Sequence, residues 1–193
     1  GPRCVYAPDQ HATSFRWMVH MKPHAPRTPG FKPLPLGDFS PPTHWCGRQL
    51  MLVPASPEWG ELDYAAVMAS RKHIKHLFGP GDTWPPDDLS MEEDIADLAW
   101  HWREFSTRRS FAYHLLDSTG LSCLGCLYLY PTASAAHDAE AYLWTHISLP
   151  REQAAQMEDE VIAWIEGAWP FKAIAWPGRF IAFTDRKSTR LNS

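Results

Sequence analysis

The chain has 193 residues, 45% of them hydrophobic, and a formal net charge of −4. That suffices for one domain with a real core, and its basic residues are scattered, without the stripe a nucleic-acid groove needs. No apolar run approaches membrane-spanning length, so neither a nucleic-acid nor a membrane partner is expected, and a cytoplasmic protein with reduced cysteines is the plain reading.

Residues 1–46 are expected to be a disordered or non-native lead-in. Residues 1–45 hold half of the 18 prolines and little periodic apolar pattern to offset the entropy of ordering. The folded domain is expected over residues 47–184, truncated at its C-terminal side. Residues 185–193 read as the translation of a common sequencing adapter, and the fold is read without them.

Residues 48–54 (Arg-Gln-Leu-Met-Leu-Val-Pro) predict a first strand. Ser56 and Pro57 are a cap and a first-turn proline for a helix over residues 58–77, with Leu62, Ala65, Ala66 and Ala69 at helical spacing. Phe78-Gly79-Pro80-Gly81 stops it. After a stiff segment carrying Trp84-Pro85-Pro86, Ser90-x-x-Glu93 is a capping box that opens a second helix ending near Arg108. Its apolar face is Ile95, Leu98, Ala99, Trp102 and Phe105. Strands follow at residues 111–116 and 121–130, joined by Asp117-Ser118-Thr119-Gly120, and then at residues 139–146. A long helix over residues 150–168 carries Ala154, Met157, Val161, Trp164 and Ala168 on one stripe, with Glu158, Asp159 and Glu160 read as a solvated patch. Residues 171–176 close as a strand parallel to residues 139–146 if the crossover is right-handed.

Cys123 and Cys126 form a C-x-x-C, but residues three apart on a regular strand point to opposite faces, and no second pair accompanies them. His73-x-x-His76 shares a helix face without a completing carboxylate. No metal site is expected at either place.

The order strand, helix, helix, three strands, helix, strand resembles the GCN5-related N-acetyltransferase superfamily. The segments most similar to it are Leu124-Gly125-Cys126-Leu127-Tyr128-Leu129-Tyr130-Pro131 and Asp138-Ala139-Glu140-Ala141-Tyr142-Leu143-Trp144-Thr145. The resemblance implies an α/β (α+β) fold with a mixed, mostly antiparallel central sheet flanked by helices. It implies acetyl-CoA as cofactor, with Tyr142, Leu143, Trp144 and Thr145 on the strand that pairs with pantetheine beside a V-shaped gap. It also implies that residues 146–154 stand where the family's glycine-rich phosphate loop would be. The chain departs from the family there: His146-Ile147-Ser148-Leu149-Pro150-Arg151-Glu152-Gln153-Ala154 has no glycine, and Pro150 lacks an N–H. Arg151 is the candidate phosphate ligand in its place, at a helix start where free amides favour anions.

By the same resemblance Glu140 is the candidate general base, and Trp84, Trp100, His101 and Trp102 are candidates for the acceptor pocket. The implied activity is transfer of an acetyl group to a small-molecule or peptide amine. The alternative is a catalytically inactive module of the same fold that binds a small apolar ligand or a protein partner, including a second copy joined edge to edge as a homodimer.

Overall fold

The computed structural model describes residues 31–187. Six strands form one sheet in sequence order: β1 (Trp45–Cys46), β2 (Leu50–Pro54), β3 (Phe111–Asp117), β4 (Cys123–Tyr130), β5 (Ala139–Thr145) and β6 (Ile174–Ala175). Every neighbouring pair is antiparallel except β5 and β6, which are parallel. Three helices cover the sheet: α1 (Gly60–Ile74), α2 (Met91–Ser106) and α3 (Arg151–Ala168). The mixed, mostly antiparallel sheet flanked by helices is the architecture expected from the sequence. No helix among the described residues is long and apolar enough to cross a membrane.

The strands are buried on both faces, and their two-residue period sorts the core into two layers. Met51, Val53, Ala112, Cys126, Tyr128, Tyr142 and Trp144 pack with Ala66 and Val67 of α1 and Leu98 and Trp100 of α2. Leu50, Leu52, Tyr113, Leu115, Leu127 and Leu143 pack with Met157, Val161 and Ile165 of α3. The crossover from β5 through α3 to β6 therefore leaves one face for α1 and the other for α3.

Local signals set most boundaries. The Ser90 hydroxyl accepts from the Glu93 amide at 3.1 Å, while the Glu93 carboxylate accepts from the Ser90 amide at 3.0 Å, so the capping box is complete. The β3–β4 turn closes with the Gly120 amide on the Asp117 carbonyl (3.0 Å), Gly120 adopting φ +74°. A 3-10 turn, Pro57–Trp59, precedes α1, and Ser56 makes no side-chain cap bond. The helix thus starts at Gly60 rather than residue 58. It ends at Ile74, short of residue 77.

The folded unit begins before residue 47. Leu34 and Leu36 are buried against the α3 layer, the Tyr113 hydroxyl donates to the Pro42 carbonyl at 2.7 Å, and Trp45 stacks on Trp164 with ring centroids 4.8 Å apart. Residues 1–30 of the expected lead-in lie outside the described residues. Glu160, read from sequence as solvated, accepts from the Arg48 amide at 2.7 Å and anchors the β1–β2 turn to α3.

Candidate functional site

The antiparallel ladder between β4 and β5 runs unbroken from Tyr130↔Glu140 to Gly125↔Thr145. On its other edge β5 pairs with β6 only at Ala139↔Ile174 and Glu140↔Ala175. Beyond Ala175 the chain turns away, the Gly178 amide bonding the Ile181 carbonyl at 2.8 Å. The expected closing strand over residues 171–176 is thus cut to two residues, and the β5 edge from Ala141 onward loses its strand partner. A cavity of about 420 Å³ lies in the resulting gap. Ala141, Tyr142, Leu143, Trp144 and Thr145 form one wall, the end of α1 and the turn after it (His73, Lys75, His76) another, and Glu158, Trp176 and Arg179 face them.

Of the residues singled out from sequence, Tyr142, Leu143, Trp144 and Thr145 therefore come together on the cavity wall. Arg151 does not: it is exposed on the first turn of α3 and lines no part of this cavity. Trp84, Trp100 and His101 are buried in the core layer under α1 and α2. Trp84 packs on Phe78, and the His101 ring leans on both Trp100 and Tyr128. Trp102 is 40% exposed and stacks on Phe105. None of the four lines the cavity: Trp84, in the loop before α2, is held by Phe78, and α2 spends its aromatic face on the sheet and on Phe105 rather than on the gap.

Glu140 is 2% exposed. Its two oxygens accept from the Thr132 hydroxyl at 2.9 Å and the Tyr142 hydroxyl at 2.8 Å. The carboxylate thus sits behind Tyr142, not on the cavity wall, and it is a fully bonded interior group rather than an exposed strand end.

The loop between β5 and α3 uses its own amides. The Ile147 amide donates to Ser70 Oγ of α1 (3.1 Å), the Ser148 amide to His146 Nδ1 (3.0 Å) and the Leu149 amide to the His146 carbonyl (3.1 Å). Burial lowers the His146 pKa, which keeps Nδ1 available as an acceptor. Without glycine the loop cannot fold its N–H groups around a phosphate. Here the Ile147 amide holds the loop to α1, and the Ser148 and Leu149 amides close on His146 within the loop.

Several cavity residues carried no reading as a ligand site in the sequence. Glu158 accepts from the Thr145 hydroxyl at 3.2 Å and pairs with Arg179 at 3.2 Å, so it bridges the two sides of the gap. His73 and His76, one turn apart, lie at its rim with Lys75; His76 adopts φ +66° and donates from Nδ1 to the Asp82 carbonyl at 3.0 Å. Arg179 is about a hundred positions from His73, Lys75 and His76, and joins them at the gap only because α1 ends where β6 gives out.

A second polar cluster lies deeper. Asp63 of α1, His114 of β3, and Cys123 and Cys126 of β4 are all buried, with one ligand atom of each within 4.8 Å of the others. Burial raises the Asp63 pKa, but the hydrogen bond and attraction to His114, together with Asp94 and Cys126, make the net shift downward. Burial alone would lower His114, yet its hydrogen bond and attraction to Asp63, with a bond to Cys123, raise it to about 10. A bond from Cys126, aided by His114, lowers Cys123 to about 6. Asp94 of α2 is raised to about 11 by burial and by the neighbouring Asp63 charge. The sequence-based premise that the two cysteines face apart fails. The β3–β4 register slips between Leu115 and Leu116, pairing His114 with Cys126 and Leu116 with Cys123. This bulge adds a residue and returns both sulfurs to the α1 face.

No protein-family model and no curated protein sequence matches the chain. Among solved structures, it is similar to a ribosomal-protein-S5-alanine acetyltransferase from Vibrio fischeri, at 9% identity and TM-score 0.48 over 64% of this chain and 67% of that one. It is likewise similar to the microcin C7 self-immunity acetyltransferase in complex with acetyl-CoA and AMP, at 7% identity and TM-score 0.47 over 62% and 64%. A ribosomal L7/L12 alpha-N-protein acetyltransferase in complex with coenzyme A matches at 15% identity and TM-score 0.46 over 63% and 66%. The match thus takes in about two thirds of the length of each structure.

Proposed function

We propose that the gap between β5 and β6 seats an acyl-CoA thioester and that the chain is an N-acetyltransferase of the GCN5-related type, acting on a small-molecule or peptide amine. The observation that carries this reading is the parting of two parallel strands after two residue pairs, with a cavity along the edge so exposed. A strand edge without a partner offers alternating N–H and C=O groups, which suit the two amides of a pantetheine arm. The phosphate end fits differently from the family pattern. With the loop amides engaged, Lys75 and Arg179 are the groups that would meet it through charge-assisted bonds, with the His73 and His76 rings beside them.

In this reading the amine nitrogen bonds to the acyl carbon as the carbon–sulfur bond breaks, and the departing thiolate needs a proton. Tyr142 supplies it, with its hydroxyl oriented by Glu140. Glu140, the expected base, then acts through Tyr142 rather than on the amine directly, and the proton lost by the amine restores the Tyr142–Glu140 pair.

Thermal unfolding with CoA and acetyl-CoA tests the cofactor. At about a hundredfold excess over Kd, binding is expected to add about 2.7 kcal/mol of stability. No shift with either ligand removes the proposal. A second reading, a module that binds the ligand without turning it over, is favoured by the placement of Glu140 behind Tyr142. It predicts the same thermal shift with no CoA release in the presence of amines.

A further inference from the structure

We propose that Asp63, His114, Cys123 and Cys126 are the ligands of a closed structural zinc site inside the core, tying α1 to the β3–β4 hairpin. This is independent of any ligand in the β5–β6 gap.

The donor geometry carries it. Ordinary Zn–S, Zn–N and Zn–O bonds around a tetrahedral ion place neighbouring donors about 3.4–3.8 Å apart. Asp63 Oδ1 lies 3.2 Å from His114 Nδ1 and 3.4 Å from Cys126 Sγ, and Cys126 Sγ lies 3.6 Å from His114 Nδ1. Three edges of the tetrahedron are therefore in place. The fourth donor, Cys123 Sγ, is within 4.8 Å of the others, so closure asks it to move by no more than about 1 Å. Two thiolates, an imidazole and a carboxylate are the donor set a borderline-soft d¹⁰ ion takes.

The backbone is specialised for this arrangement. Gly125 sits at φ +155°, and a Cβ there would collide with the Trp144 carbonyl oxygen. Only glycine fits the bulge, and without the bulge one sulfur would face α3. Around the donors the core is apolar, with Ala66, Val67, Ala112 and Leu116 in the same layer. Four ionisable groups buried there are costly unless something binds them together. All four donors are buried, His114 completely, so no position opens to substrate and the site is structural rather than catalytic.

The full chain, purified without added metal or chelator, is expected to carry about one equivalent of zinc by mass spectrometry of the elements. Exchange into Co²⁺ should give the visible bands of a tetrahedral ion with thiolate-to-metal charge transfer. Cys123→Ser combined with Cys126→Ser is expected to leave less than about a tenth of an equivalent. Should that variant not fold, the wild-type measurements decide by themselves. A metal-free wild type that takes up no Co²⁺, whether its sulfurs titrate as free thiols or are joined as a disulfide, overturns the proposal. So does a Co²⁺ spectrum without charge transfer.

Discussion

The β3–β4 and β5–β6 pairs depart from a regular ladder in opposite ways. Between β3 and β4 the strands stay zipped, and one extra residue inside the ladder changes which face the side chains meet. Between β5 and β6 the ladder stops after two pairs, and what becomes available is backbone. An irregularity within a paired sheet re-aims side chains into the core, whereas one at a strand's end leaves polar main chain to be satisfied from outside. The first region gathers a closed cluster; the second opens a cleft.

Changing Gly125 breaks this contrast most severely. Gly125→Ala puts a Cβ against the Trp144 carbonyl at a backbone angle that side chains rarely adopt, and a loss of about 3 kcal/mol or more is expected from urea unfolding. A loss under about 1 kcal/mol would mean that the bulge relaxes and does not fix the cysteines. At the cleft, Tyr142→Phe is expected to lower turnover about a hundredfold while CoA affinity stays within about twofold. An equal loss in affinity would make Tyr142 a binding group instead. Next, Arg179→Ala is expected to weaken CoA binding about five- to tenfold, near 1 kcal/mol, and Arg151→Ala by less than about twofold. The reverse order would return the phosphate to the start of α3.

The smallest effect concerns the loop between β5 and α3. Burial lowers the His146 pKa below 6.5, so near that pH the folded chain binds fewer protons than the unfolded one. The stability it lends is present above about pH 6.5 and is lost as pH falls through the folded pKa. An NMR titration of the His146 ring should give a midpoint below 6.5 and a loosened Ser148 amide on protonation. A midpoint at or above 6.5 contradicts the Nδ1 acceptor role.

Much of the fold was legible because its signals are local. The Ser90–Glu93 box, the apolar stripe of α3 and the Asp117–Gly120 turn each act within a few residues. Tyr142 to Thr145, expected on a strand beside a gap, line the cavity because β6 pairs with β5 only at Ala139 and Glu140 and leaves the rest of that edge open. What failed depends on contacts distant in sequence. Leu34, Leu36 and Trp45 are held by α3, more than 100 positions away in the chain, and no periodicity marks them. A regular strand period turns Cys123 and Cys126 to opposite faces, and the bulge interrupts that period; Gly125 between them is the sequence signal, since an isolated glycine in a strand often marks a bulge. The sequence offers the tryptophans of α2 as pocket lining, but Trp100 goes to the core and Trp102 stacks on Phe105 at the surface. Lys75, His76 and Arg179 meet across the gap only after α1 and β6 have both ended.

The aromatic strap ahead of β2 bears on how this domain can be cut. Trp45 lies flat on Trp164, and Phe39 leans on Trp169 with centroids 5.0 Å apart. A fragment starting at residue 47 would uncover the indoles of Trp164 and Trp169, at the end of α3 and just after it, the sort of apolar face that makes copies cling to one another. Removing residues 31–46 should accordingly raise self-association in sizing experiments.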